Sequence, residues 1–547
     1  MPSSRFSIVS LFSSTLAFSG LAFAQGNLGD LTGTVAGGYF GASVVGLGDV
    51  NQDGFADFVV GEPRAFTYFN GKATVYSGKD HSVLYTFTGQ DRDLFGTSVA
   101  GPGDLNGDSV PDIAVGAIEY YSDFTLAKGY INLYSGLTGA LIWKANGLGA
   151  KEYLGTSLAV VGDVNHDGKT DFVAGSKFHL VRVISGANGS ILSSINFNVF
   201  SFGWNVAAAG DVDQDGTPDF LVGAPTTTGG IVHLYSGATN ALIRQWLGNF
   251  SGNDQIGYGL AGGVDWNDDG IPDIALGAPG SSLAGANYGA VLIRSGADDS
   301  LIRAYPGPSA NAQFGYRLGV LGDVDADGTT DLLIGAMNEN NGTSFGAAHM
   351  ASGDSALEIG VLRAPAGTPM NSYAFAVAGL GDIDGDDLPD FAVSSPTVSA
   401  YGTVHLSSAI PHGTAPFGTG TPGCTGPEHL LANSSPTIGN TAFEVHGDAA
   451  PSSGTGFLLL APNPDLFGTL AAGVKLHVGL GGALLVLPVA SDANGYFDLA
   501  MPLPADPGIV GASVALQTLW TWSPTVCVPS AMGLSSSRGL IVEIQPQ

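Results

Sequence analysis

The chain has 547 residues, 44% of them hydrophobic and only 12% charged, with 83 glycines and a formal net charge of −30. Such a length exceeds one ordinary core and calls for several domains or a repeat array, and the apolar content excludes wholesale disorder. With 18 Lys and Arg against 48 Asp and Glu, nucleic acid and other polyanions are repelled, so no nucleic-acid partner is expected and cations are favoured.

At the start of the chain, Arg5 precedes a mostly apolar stretch from Phe6 to Ala24 that ends in small residues ahead of Gln25. This reads as a secretory signal peptide over 1–24, which predicts a secreted protein, at the cell surface or beyond. No later apolar run reaches the ~18 residues of a membrane span, so no transmembrane segment is expected. Many glycines, short apolar runs and few helix formers predict an all-β fold.

The nonapeptide "DVNQDGFAD" then recurs seven times at intervals of 48 to 59 residues. Positions one, three, five and nine carry an oxygen side chain in every copy. They are Asp49, Asn51, Asp53 and Asp57 in the first copy, and Asp104, Asn106, Asp108 and Asp112 in the second. The third has Asp163, Asn165, Asp167 and Asp171, and the fourth Asp211, Asp213, Asp215 and Asp219. The fifth has Asp265, Asn267, Asp269 and Asp273, the sixth Asp323, Asp325, Asp327 and Asp331, and the seventh Asp382, Asp384, Asp386 and Asp390. These positions hold 24 of the 48 acidic residues, and their like charges would repel at close range without a cation. Hard oxygen donors with no Cys or His select Ca²⁺, so up to seven Ca²⁺ are expected, one per loop. An EF-hand is excluded because position twelve, Val60 or Val222, lacks the bidentate Glu and the flanks read as strands.

Each copy sits in a larger frame. An apolar residue and Gly lie upstream, as in Phe40-Gly41 or Phe95-Gly96, and strand-like runs such as "DFVVG", "ATVYSG" and "VLYTFTG" follow. Four short strands per repeat predict an antiparallel meander that must stack on its neighbours, and seven such units predict a seven-bladed β-propeller over 25–410. The last repeat stops after its third strand, while "GDLTGTVAG" at 29–37 is an orphan. Residues 29–37 are therefore expected to complete blade seven, which removes the open edges.

The frame "YFGASVVGLGDVNQDGFADFVVGEP" resembles the FG-GAP repeat of the integrin α-subunit propeller and similar VCBS-type repeats of bacterial secreted proteins. That resemblance implies Ca²⁺ on the acidic loops of one rim. It also implies a protein or carbohydrate ligand on the opposite face, built from the loops between strands two and three and those between blades. The "GAP" element is complete only at Gly223-Ala224-Pro225 and Gly277-Ala278-Pro279, and Ala374 replaces the upstream Gly in the seventh repeat.

Residues 411–547 contain further strand-like runs, among them "TGFLLL", "VKLHV" and "SVALQTLWTW", and predict a small C-terminal β-sandwich. It resembles an uncharacterised module of bacterial secreted propeller proteins, which implies no activity. Cys424 and Cys527 are the chain's two cysteines; a zinc site would need further Cys or His ligands nearby, and a disulfide between them in an exported protein is expected instead.

No catalytic constellation stands out. The dense carboxylates are accounted for as metal ligands, no Ser nucleophile shows a "GxSxG" elbow with partners, and His233, His349 and His405 occupy equivalent places on different repeats. Loops after the second strand carry Arg64 and Tyr68 in the first repeat and Tyr120 and Tyr121 in the second, residues suited to ligand recognition. The sequence therefore predicts a non-catalytic, integrin-like scaffold for adhesion or ligand binding. A carbohydrate-binding lectin is the alternative, and a polysaccharide-active enzyme a third reading.

Overall fold

The computed structural model describes residues 27–408 apart from 66–68, 120–126, 177, 228, 250–252, 286, 325–327, 341, 343, 355–357, 366–367, 369, 371, 386–387 and 397–400. From 414 to 543 it describes the strands and a few residues beside them. The segment 1–24 and residues Tyr68, Tyr120, Tyr121, Asp325, Asp327, Asp386, Cys424 and Cys527 lie outside the described residues. Every regular element among the described residues is a β-strand.

The repeats form seven four-stranded antiparallel sheets among the described residues. In the first, Ser43–Gly48, Asp57–Glu62, Lys72–Tyr76 and Val83–Thr88 pair in sequence order. The second strand is buried at all six positions because a sheet covers each of its faces, so it reads as an unbroken apolar run. Side chains alternate across that strand. Val59 joins Ile113 and Val115 of the next sheet, whereas Phe58 and Val60 join Ala392 and Val404 of the last one. Such shared cores recur between all neighbouring sheets.

The first strand of each sheet packs against the first strand of the next, and that of the seventh packs against that of the first. These strands line the axis, while the fourth strands face outward with residues such as Val83 and Leu301 exposed. Sheets stacked face to face around such a ring make the fold a β-propeller. In the last sheet, Val377–Gly381, Asp390–Ser395 and Thr403–Ser408 take Asn27–Thr32 as their outer strand. Asp30 pairs with His405 and Thr32 with Thr403. The orphan piece was expected at 29–37, but the strand ends at Thr32. Gly33 still donates to the Gly402 carbonyl at 3.2 Å, and there the chain turns so close to Tyr401 that a Cβ would lie 2.2 Å from its carbonyl oxygen.

Farther along, strands 414–417, 539–543, 513–521, 455–461 and 485–490 form one sheet, with 534–536 paired to 513–521. Strands 430–432, 444–447 and 497–500 form another. Leu458, Leu516 and Trp520 of the larger sheet share a buried cluster with Val445 and Phe497 of the smaller.

Candidate metal-binding loops and the face opposite them

Antiparallel order dictates which loops share an end of the propeller. Connections from strand one to two and from three to four lie at one end, and those from two to three and from one sheet to the next lie at the other. The acidic nonapeptides join strands one and two in every sheet, so all seven lie on one rim.

Within a loop, the backbone is tightly wound. Position six has a left-handed φ at Gly54 (91°), Gly168 (83°), Gly216 (88°), Gly270 (84°) and Gly328 (95°), and Ser109 adopts it without being glycine (69°). Position four is left-handed as well, at Gln52, His166, Gln214 and Asp268, a conformation that costs a non-glycine residue about 1–2 kcal/mol. Nothing in the sequence pattern marks position four. The winding aims amide hydrogens inward. In the first loop, Asp49 accepts from Asp53 N (3.0 Å) and Gly54 N (2.9 Å), Asn51 Oδ1 from Asp53 N (3.0 Å), and Asp53 Oδ1 from Phe55 N (3.1 Å).

Position nine differs from the other three. Asp57, Asp112, Asp171, Asp219, Asp273, Asp331 and Asp390 are all fully buried. In the fourth sheet, Asp219 Oδ2 accepts from Val212 N (2.8 Å) and Asp213 N (3.2 Å), while Oδ1 accepts from Gly237 N (3.0 Å) in the turn between strands three and four. The same bridge from loop to turn is made by Asp57 to Gly78, Asp112 to Gly136, Asp171 to Gly186, Asp273 to Gly296 and Asp331 to Gly353. Burial pushes the carboxyls of Asp57, Asp112, Asp171, Asp219 and Asp273 up, that of Asp219 to about 6, against the pull of the amides they accept from.

Carboxylate oxygens of Asp211, Asp213 and Asp215 lie within 4.8 Å of one another, as do those of Asp382, Asp384 and Asp390, and these acidic groups could hold a metal ion. Asp213 is pushed up, first by partial burial and further by the charges of Asp215 and Asp211, while the Asp215 amide pulls it down. A divalent cation would relieve that repulsion, and an all-oxygen donor set fits a hard one.

The equivalent third-strand residues do not converge on one site. His233, 1% exposed, contacts Tyr235 Oη (2.8 Å) and Gln245 Nε2 (3.0 Å), and burial pushes it down to about 4. His349, 2% exposed, lies between Glu358 and Glu339, each 2.6 Å away, and Arg363 pairs with the other oxygen of Glu339. His405 pairs with Asp30 at 2.8 Å. Arg64, an expected ligand residue, is exposed on the end opposite the acidic loops with its guanidinium 4.3 Å from the Tyr39 ring centroid and 5.8 Å from that of Phe69.

A feature missed in the sequence lies on the same end as Arg64. The residue after the upstream Gly is Ala42, Thr97 and Thr156 in the first three repeats, then Trp204, Tyr258, Tyr316 and Phe375. These four half-buried rings stand where the innermost strands begin and form an arc around the axis. Trp204 meets Tyr258 edge-on at 6.3 Å, Tyr258 stacks on Tyr316 at 4.8 Å, and Arg317 bridges Tyr316 and Phe375 at 4.7 and 5.7 Å. Asn205 Nδ2 donates to the Tyr258 carbonyl (2.8 Å) and helps fix the arc. A column-by-column alignment of the repeats would have revealed it.

The FG-GAP repeat matches at residues 40–76, 95–122 and 314–349, and the FG-GAP-like repeat at 163–222. Integrin alpha-V of Gallus gallus is 36% identical over 147 residues, which cover 26% of this chain and 14% of that protein. Integrin alpha-5 of Xenopus laevis is 35% identical over 154 residues, again 26% of this chain and 14% of the relative. A chain of the crystal structure of BBS1N in complex with ARL6DN, soaked with mercury, overlays with a TM-score of 0.46 at 12% identity, over 71% of this chain and 98% of its own length.

Proposed function

From an FG-GAP repeat protein that resembles the integrin alpha propeller, we propose a secreted, non-catalytic scaffold for adhesion or ligand binding. Its parts are a signal peptide (1–24), a seven-bladed propeller (25–410) and a C-terminal β-sandwich (411–547) closed by Cys424 and Cys527. Ca²⁺ sits in the acidic loops and secures each hairpin to its sheet, and the opposite face receives the ligand. The observation that carries this reading is the division of the two ends, with carboxylates on one rim and the arc of Trp204, Tyr258, Tyr316 and Phe375 on the other. A rigid ring presenting half-exposed aromatics supplies contact area at little entropic cost, as recognition surfaces do.

Calcium removal supplies the first test. Chelation is expected to lower the melting temperature by several degrees and re-addition of Ca²⁺ to restore it, through mass action on the folded state. Equal melting curves with and without chelator would refute the assignment of Ca²⁺ to these loops.

Ligand recognition is tested on arrays of extracellular proteins and of glycans probed with the full chain. The Trp204→Ala/Tyr258→Ala variant is expected to lose at least about tenfold in binding while still unfolding in one cooperative transition, at a somewhat lower melting temperature. Binding unaffected by that double change would move the ligand site elsewhere. Partly exposed Trp and Tyr rings also suit sugar stacking, which favours lectin-like carbohydrate binding as the second reading. Signal confined to the glycan array would select it.

A further inference from the structure

The third sheet carries an open cavity of about 490 Å³ lined by Lys151, Glu152, Phe178, His179, Arg182 and Asn196. It lies on the end opposite the acidic loops, between the connection from the second sheet and the link between strands two and three. It exists because that link is cut short. Strand two ends at Gly175 and strand three starts at Phe178, whereas the first sheet spans Glu62 to Lys72 at the same place.

The polar groups around the cavity are held firmly. Arg182, 9% exposed, donates Nε to Glu152 Oε1 at 2.7 Å and Nη1 to Ser194 Oγ. Glu152, 4% exposed, is saturated, since its other oxygen accepts the amides of Leu148 and Gly149 at 2.8 Å each. The second terminal nitrogen of Arg182 has no partner among the described residues. His179 Nδ1 lies 2.8 Å from the Val199 carbonyl and donates to it, which leaves Nε2 for a ligand. The His179 backbone is held at φ 63°, and the exposed Lys151 at 65°. Register sets Asn196 opposite Leu180 and Ser194 opposite Arg182 on the neighbouring strand. Phe178 packs against Tyr153 at 5.7 Å and Phe200 at 5.3 Å, which fixes its ring at the wall.

Arg182 and Lys151 outnumber the saturated Glu152, so the cavity is cationic on a chain whose net charge is −30. That suits a ligand with one negative charge and disfavours a dense polyanion, which the surrounding surface repels. We propose that the cavity binds a single acidic sugar, a hexuronate unit. Its carboxylate faces Arg182 and Lys151, the apolar face of its ring lies on Phe178, and its hydroxyls bond Asn196 and His179. An amide beside an imidazole provides both donors and acceptors, which hydroxyls require and an acidic peptide side chain would leave unused.

Calorimetric titration of the full chain in Ca²⁺ with glucuronate, glucose and N-acetylaspartate tests this. Glucuronate is expected to bind at least about tenfold more tightly than either of the others. Lys151→Ala is expected to weaken glucuronate about three- to tenfold with no change in melting temperature. Arg182→Gln should abolish binding but also strands the buried Glu152, so the exposed Lys151 is the deciding position. Equal binding of glucose and glucuronate, N-acetylaspartate binding as tightly, no binding of glucuronate, or indifference to Lys151→Ala would each overturn the proposal. The cavity shares no residue with the aromatic arc, so Trp204→Ala should leave glucuronate binding intact and the two sites can fail separately.

Discussion

Asp219→Ala is expected to destabilise the protein by about 3–5 kcal/mol, measured by equilibrium denaturation, although residue 219 belongs to a surface loop by sequence. Its carboxylate is fully buried and accepts from three amides, Val212, Asp213 and Gly237, drawn from two different connections. A buried donor left without a partner costs about 1–3 kcal/mol, and alanine strands the two shielded most deeply, Val212 N and Gly237 N. Asp219→Asn should also cost about 1–3 kcal/mol, because an amide nitrogen would face either Gly237 N–H or the Val212 pair, donor against donor. In chelator, Asp211→Ala should cost less, since Asp211 bonds amides that stay open to water once it is removed. A loss below about 1 kcal/mol for Asp219→Ala would show that the bridge from loop to turn carries no weight.

His349 is expected to make stability fall at alkaline pH. Burial alone would push its imidazole down, but the hydrogen bonds and charges of Glu339 and Glu358 outweigh burial and push it up to about 9. The folded value thus exceeds the ordinary value of 6.5. Its contribution is fully present below pH 6.5 and is lost as pH rises through 9, an effect on the order of 3 kcal/mol. His349→Gln should flatten that dependence. It should also cost about 3–5 kcal/mol at pH 6.5, because Glu339 stays buried with Arg363 as its remaining cationic partner. Melting curves from pH 6 to 10 for the two proteins check this, and parallel curves would assign the pH dependence to other groups.

Much of the fold was legible because its signals are local. Four strands per repeat follow from short apolar runs bounded by turn residues, and the repeat count follows from a nonapeptide whose spacing needs no tertiary information. The departures were legible too, though their outcome was not. Ala374 stands where six repeats have Gly and still holds the left-handed backbone, at φ 54°, because the packed sheets around it dictate that conformation. The strand 464–471 went unread. Its Pro464 and Gly468 look like punctuation, and only pairing with 474–478 makes it extended.

The functional surface was harder to read because its residues are far apart in the chain. Trp204, Tyr258, Tyr316 and Phe375 sit some 50 to 60 positions apart, and each alone is an ordinary aromatic beside a glycine. Closure of the ring turns that spacing into contact. Lys151, Arg182 and Asn196 come from three connections and strands of one sheet, and their meeting depends on the short link at 175–178.

Asp serves at positions one, five and nine of every loop and Asp or Asn at position three, and the sequence by itself determined that oxygen donors recur there with a spacing suited to a hard cation. It could not separate the exposed donors from the buried one, since burial of position nine depends on a Gly amide some 15 to 24 residues later that reaches it only when strand three pairs with strand two. Periodicity and composition act along the chain, and so they determined the all-β class and the repeat. Burial, proton affinity and the juxtaposition of distant side chains arise from packing across sheets, and only the tertiary structure decided them.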